Sequence, residues 1–141
     1  MKIFFLLICV FLLNSCSVNH TSDSNKICLS FSLEEKELIE WEMLLKQDNE
    51  IYYVYIYSET CGYCKKTEPE ITKLRFSAKV YFVLFNENIA LTSERGDLIG
   101  AENIEDLYVL GIPTLFLIDK SKVKACYIGF NEIVEHIKEV T

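Results

Sequence analysis

The sequence predicts an α/β domain: a three-layer sandwich whose central mixed sheet is flanked by helices. Three observations predict it. Apolar runs at 51–57, 80–85 and 114–118, rich in β-branched and aromatic residues, have the make-up of strands buried on both faces. Segments of helical spacing or mixed polarity separate the early runs, which favours parallel pairing between them. The last two runs, 114–118 and 123–128, are joined only by Asp119-Lys120-Ser121, which favours a hairpin.

The chain has 141 residues, enough for one domain rather than two. Half of it is hydrophobic, enough to fill a single core. The net charge of -7 argues against a nucleic-acid partner, because phosphate binding needs a basic face.

The first residues read as an address. Met1-Lys2 gives a positive start, 3–13 is unbroken apolar sequence, and Asn14-Ser15-Cys16 precedes a polar stretch. This is the signal-peptide pattern. The apolar run falls short of the roughly 20 residues a spanning helix needs. Leu13-Asn14-Ser15-Cys16 resembles a bacterial lipobox, although Asn14 departs from the usual small or β-branched residue. The resemblance implies removal of 1–15 and acylation of Cys16, for instance with palmitate. Ordinary cleavage and an uncleaved anchor are the alternatives. Two or more acyl chains, each buried CH₂ contributing about 0.8 kcal/mol, hold a protein durably on a membrane. Residues 16–26 then form the lipidated cysteine and a polar tether with a reach of about 15–18 Å. The folded domain is expected over 27–141.

Within that domain, residues 27–31 suit a short strand. Ser32-Leu33-Glu34-Glu35 is a capping box for a helix reaching about Gln47, with Leu38, Trp41, Leu44 and Leu45 on its apolar face. Strand 51–57 follows. A turn at Ser58-Glu59-Thr60 leads into a helix that opens at the cysteine pair and uses Ile71, Leu74 and Phe76 as an apolar face. Strand 80–85 comes next, then a mixed loop with a helical piece over 86–100, and a short helix over 103–110. Gly111-Ile112-Pro113 ends that helix. After the hairpin, Asn131 caps a final helix to about Val140, with Ile133, Val134 and Ile137 facing inward.

Cys61-Gly62-Tyr63-Cys64 stands where a buried strand meets a helix. Unpaired N–H groups and the helix dipole at that end favour a negative charge, so the Cys61 thiol is expected to ionise readily. Cys64 lies one turn on, within bonding reach and more enclosed. Cys61 can attack a substrate disulfide, and Cys64 can resolve the mixed disulfide. The reverse sequence oxidises a substrate.

With Pro69 five residues after Cys64, and Gly111-Ile112-Pro113-Thr114 just before a strand, the chain resembles the thioredoxin superfamily over about 27–140. Gly129 also falls where that family often has a glycine. The resemblance implies a thioredoxin-like sandwich and a cis Pro113 packed against the cysteine pair. It also implies that the Ile112 backbone is offered to an extended substrate, with Gly62 and Tyr63 shaping the site. No cofactor and no metal are implied. The chain departs from thioredoxins in three places. Gly62-Tyr63 resembles the dipeptide of bacterial periplasmic disulfide isomerases. Tyr55 stands where thioredoxins bury an aspartate that helps the resolving thiol lose its proton. The lysine expected near the end of the next strand is absent from 80–85. Glu59 or water could serve Cys64 instead.

These residues admit other readings. A structural zinc needs four ligands, usually from two such pairs, and His20, His136, Cys28 and Cys126 are scattered. A purely structural short-loop disulfide is the other reading of the pair. Cys28 and Cys126 are read as separate thiols, on strands at opposite sheet edges. Tyr52, Tyr53, Tyr55 and Tyr57 are read as core packing, and His136 as a surface residue. Lys65 and Lys66 either support the thiolate or form a solvated face.

The function expected is an extracytoplasmic, lipid-tethered thiol–disulfide oxidoreductase of a bacterial cell envelope. Its expected partners are thiols and disulfides of exported proteins, a membrane electron donor or acceptor protein, and the membrane itself. A monomer is expected. Ile112 before the proline resembles reducing thioredoxins, and the related isomerases dimerise through an extra domain for which this chain has no room, so reduction is favoured. Disulfide oxidation or isomerisation, and a non-catalytic binding lipoprotein, are the rivals.

Overall fold

A computed structural model describes residues 36–92 and 96–141. The expected signal peptide, Cys16, the tether, strand 27–31, Cys28 and the capping box lie outside the described residues.

The strands among the described residues are β1 (Ile51–Tyr57), β2 (Val80–Leu84), β3 (Thr114–Asp119) and β4 (Lys122–Ile128). Two helices, α1 (Gly62–Leu74) and α2 (Gly129–Val140), complete the regular structure. The sheet order is β2-β1-β3-β4. β1 and β2 run parallel, as a strand–helix–strand unit requires. β3 runs antiparallel to β1, with Val54 opposite Phe116. The sheet is therefore mixed at its centre, and helix-separated parallel pairing stops at β2. β3 and β4 form the expected hairpin. Lys120 and Ser121 both carry positive φ, 50° and 62°, the pairing that lets a two-residue turn follow the strand twist.

β1 sorts its side chains by alternation. Tyr53, Tyr55 and Tyr57 face a core closed by Ile71 and Leu74 of α1 and by Ile133 and Ile137 of α2. Tyr52, Val54 and Ile56 face a second core with Trp41, Leu44, Phe116 and Ile118, roofed by Ile89, Leu98, Leu107 and Val109. All four tyrosines are buried, as core packing requires. The three layers are thus two helices, the sheet, and a layer of turns and irregular chain.

That third layer contains less helix than its spacing suggested. Residues 41–43 form a single 3₁₀ turn, and a second one spans 104–106. Leu38 leaves the expected apolar face altogether. It forms a parallel bridge with Phe82 and is exposed. The cause is backbone pairing along the open side of β2: Phe82 N–H donates to Glu37 O, and Ile39 N–H to Phe82 O, both at 2.9 Å. Trp41, Leu44 and Leu45 do face the core. Phe76 also leaves its expected face, lying beyond the end of α1 and 81% exposed.

α2 begins three residues earlier than a cap at Asn131 implied: its N-cap position is Ile128. Glu132 Oε2 accepts the Ile128 N–H at 2.9 Å, and Gly129 turns the chain at φ 77°, where a side chain is strained. His136 is also not a simple surface residue. It stacks on Tyr127 at 3.9 Å between ring centroids, and its Nε2 lies 3.0 Å from the Tyr53 hydroxyl.

Candidate active site: a cysteine pair on a helix terminus

β1 ends at Tyr57, and after a three-residue turn Cys61 takes up the N-cap position of α1 with extended backbone, φ -78° and ψ 115°. Its sulfur accepts the Cys64 N–H at 3.1 Å. A sulfur thus fills the role that a serine or aspartate oxygen fills at other helix starts. Both cysteines are thiols. Cys61 is half-buried, whereas Cys64 is 3% exposed. Burial, reinforced by the Cys61 sulfur, pushes the Cys64 thiol up to about 12. Near neutral pH Cys64 is therefore a protonated, weakly nucleophilic thiol.

The loop before β3 closes one side of the pair. The Ile112–Pro113 peptide is cis. Ile112 O lies 3.8 Å from Cys61 Sγ. Two hydrogen bonds fix this loop: Thr114 Oγ1 donates to Gly111 O at 2.7 Å, and Gly129 N–H to Pro113 O at 2.8 Å. Tyr63 projects outward, 63% exposed, with Lys66 Nζ over its ring at 5.4 Å. Gly62 has open space where a Cβ would sit. Pro69 lies within α1. Cys126, on the edge strand β4, packs partly buried against the core on the other side of the sheet. Among the described residues, no group of three or more His, Cys, Asp or Glu side chains could hold a metal ion.

On the far side of the pair, Tyr55 replaces an acid by a phenol. Its hydroxyl donates to Cys64 O at 3.2 Å, and its proton is held firmly, because burial and then the adjacent Cys64 raise its pKa. Beside it opens a cavity of about 390 Å³ lined by Cys64, Glu59, Lys65, Lys36 and Glu68, among others. Lys36 and Glu68 form an ion pair at 2.5 Å. Neither residue stood out in the sequence. Glu68 could have been found, because it lies four residues beyond Cys64 and so on the same helix face. Lys36 could not, because its position depends on the pairing of 37–39 with β2.

A parallel strand–helix–strand unit, an antiparallel hairpin and a cysteine pair on the first helix terminus define a thioredoxin-like redox fold. The Thioredoxin family model matches residues 32–139, and the chain belongs to that family. No curated protein sequence matches the chain significantly. Among solved structures it is similar to thioredoxin f2 of Chlamydomonas reinhardtii, at 21% identity and TM-score 0.51, over 74% of this chain and 94% of that one. It is similar also to oxidised mitochondrial thioredoxin 3 of Saccharomyces cerevisiae, at 22% identity and TM-score 0.51, over 76% and 94%. At these identities the likeness bears on the fold alone. Family membership and the cysteine pair together support thiol–disulfide oxidoreductase activity in general.

Proposed function

We propose that this protein is a lipid-tethered, extracytoplasmic disulfide reductase acting on exported proteins and fed electrons by a membrane partner. The observation that carries the redox reading is the Cys61 sulfur, half-exposed on a helix N-terminus and 3.8 Å from the carbonyl of Ile112. In the forward direction the Cys61 thiolate attacks a substrate disulfide. One substrate sulfur leaves as a thiolate, and a mixed disulfide forms. Cys64 then gives up its proton and attacks Cys61 Sγ. The second substrate sulfur leaves, and the Cys61–Cys64 disulfide carries the two electrons' worth of oxidation. Pro113, with the Ile112 backbone, lines the place where an extended substrate would lie.

Ile112 before the proline supports reduction, and Gly62-Tyr63 favours the second reading, oxidation or isomerisation. The reduction potential of the pair separates them. A value near about -270 mV supports a reductase, and one near about -120 mV an oxidase. An insulin-reduction assay with a Cys61→Ser control tests the activity itself. Equal inertness of both proteins, with no reversible oxidation of the pair, would leave a binding lipoprotein as the better reading. The tether rests on the lipobox-like Leu13-Asn14-Ser15-Cys16. Cys16→Ala is expected to release the protein from membranes, and its retention there would refute the anchor.

A further inference from the structure

We infer that Glu68, held in place by Lys36, accepts the Cys64 proton through water in the cavity they share when Cys64 resolves the mixed disulfide. The inference rests on the thiol–disulfide exchange proposed above.

Cys64 must be deprotonated to attack Cys61 Sγ, yet its thiol is buried and resists ionisation. Something near it has to take the proton. Tyr55, its hydrogen-bonded neighbour, cannot do so, because a neutral phenol is not a base and its proton is firmly held. Tyr57 is held neutral by burial in the same way. The remaining titratable groups on this cavity are Glu59, Lys65, Lys36 and Glu68.

Of the two carboxylates, Glu68 has the better placement. It sits one helical turn beyond Cys64, on the same face of α1. It is also held. Lys36 Nζ contacts it at 2.5 Å, and the Lys36 side chain is only 15% exposed. That ammonium lies 4.7 Å above the Tyr57 ring and 5.8 Å from that of Phe82. A lysine so enclosed needs a charged partner, and the pair anchors the carboxylate at the cavity wall. Among the described residues, Glu59 has no comparable ion pair.

The cavity, at about 390 Å³, is far larger than the roughly 30 Å³ of one water, and its wall carries the polar groups that water needs. A carboxylate that meets the thiol through a water in this cavity can act as its general base. The proton balance closes. The Cys64 proton passes through water to Glu68, the Cys61–Cys64 bond forms as the Cys61–substrate bond breaks, and the departing thiolate takes a proton from solvent. Glu68 then returns its proton to solvent through its exposed edge; its side chain is 45% exposed.

The test separates the two chemical steps in the full chain. A peptide carrying one chromogenic mixed disulfide is added, and chromophore release reports attack by Cys61. Acid-quenched samples are digested, and the mass of the Cys61 peptide with its adduct reports resolution by Cys64. In Glu68→Gln, attack is expected to keep its rate while resolution slows about tenfold or more. The pH profile changes as well. Resolution in the variant, left to hydroxide, is expected to rise more steeply with pH than in the wild type. Glu68→Asp is expected to restore part of the rate, and Lys36→Met to slow resolution without slowing attack. Resolution in Glu68→Gln at the wild-type rate and with the wild-type profile overturns the relay and leaves the redox function standing. If the wild type forms no Cys61 adduct at all, the redox function falls and the relay with it.

Discussion

The two faces of the sheet are built by the same strand and differ in kind. On one, Val54 and Ile56 meet Phe116, Ile118, Trp41 and Leu44, and the buried phenols are tied off, Tyr52 on Leu44 O at 2.9 Å and Tyr81 on Asn49 Oδ1 at 2.7 Å. On the other, three tyrosines in a row carry their polar ends toward the helices. Tyr53 reaches His136, Tyr55 reaches the backbone of Cys64, and Tyr57 lies under Lys36. Both faces exclude water from their apolar parts. Both faces fix phenols, but the helix face also sets an imidazole and an ammonium against its tyrosines, and it is the face that bears Cys64. One face supplies stability, and the other positions reactive and ionisable groups at some cost in apolar burial.

Substitutions can break this contrast or sharpen it. The largest effect is expected from Phe116→Ala. It empties a fully buried ring site on the apolar face and is expected to cost about 3–5 kcal/mol by denaturant unfolding. The contrast predicts that the surviving folded protein alkylates Cys64 at the wild-type rate; a changed rate would show that the faces are coupled. Next comes Gly129→Ala, where φ 77° makes a side chain cost about 1–2 kcal/mol. Because Gly129 N–H holds Pro113 O, this change is expected to slow disulfide exchange as well as destabilise. Tyr55→Phe removes one buried hydroxyl for about 0.5–1.5 kcal/mol. Cys64 alkylation is the more telling readout there, and a Phe variant identical in both measurements would demote Tyr55 to filler.

The smallest effect is a matter of pH. Burial holds the His136 imidazole below its ordinary pKa. Between the folded value and about 6.5 the unfolded chain therefore binds more protons than the folded one, and stability rises with pH. The contribution is complete above about pH 6.5 and is lost as pH falls through the folded value. His136→Phe is expected to flatten the stability profile in that window, as read by thermal melts in matched buffers. An unchanged slope would mean that another group sets it.

These distinctions were unevenly legible in the sequence. β1, α1, the hairpin and the cysteine pair could be read because each depends on local pattern: an apolar run, a helix start, a tight turn. Pro113 was found because Gly111-Ile112-Pro113-Thr114, just before a strand, resembles a loop of the thioredoxin superfamily. The failures were mostly tertiary, with the start of α2 a local exception. Leu38 has a helical phase in the sequence, but the unpaired edge of β2 draws it into a bridge. Asn131 is a good capping residue, yet Gly129 turns the chain earlier and Glu132 supplies the acceptor. His136 reads as a polar residue on a helix, and its stacking on Tyr127 depends on how α2 lies over β4. The Lys36–Glu68 pair joins residues 32 positions apart in sequence, with no motif to announce it.

The bridge at Leu38 also bears on how this domain behaves in a crowd. A sheet edge offers a row of unused donors and acceptors to any passing strand. Residues 37–39 occupy part of that row along β2. At the other edge, β4 carries exposed Lys122 and Lys124, engaged with Glu102 and Asp119, and the β3–β4 register shifts at Leu117/Ile118. Charged lysines and such irregularities discourage a second chain from adding on. Wherever copies of the domain meet at high local density, blunted edges keep their encounters from ending in aggregation.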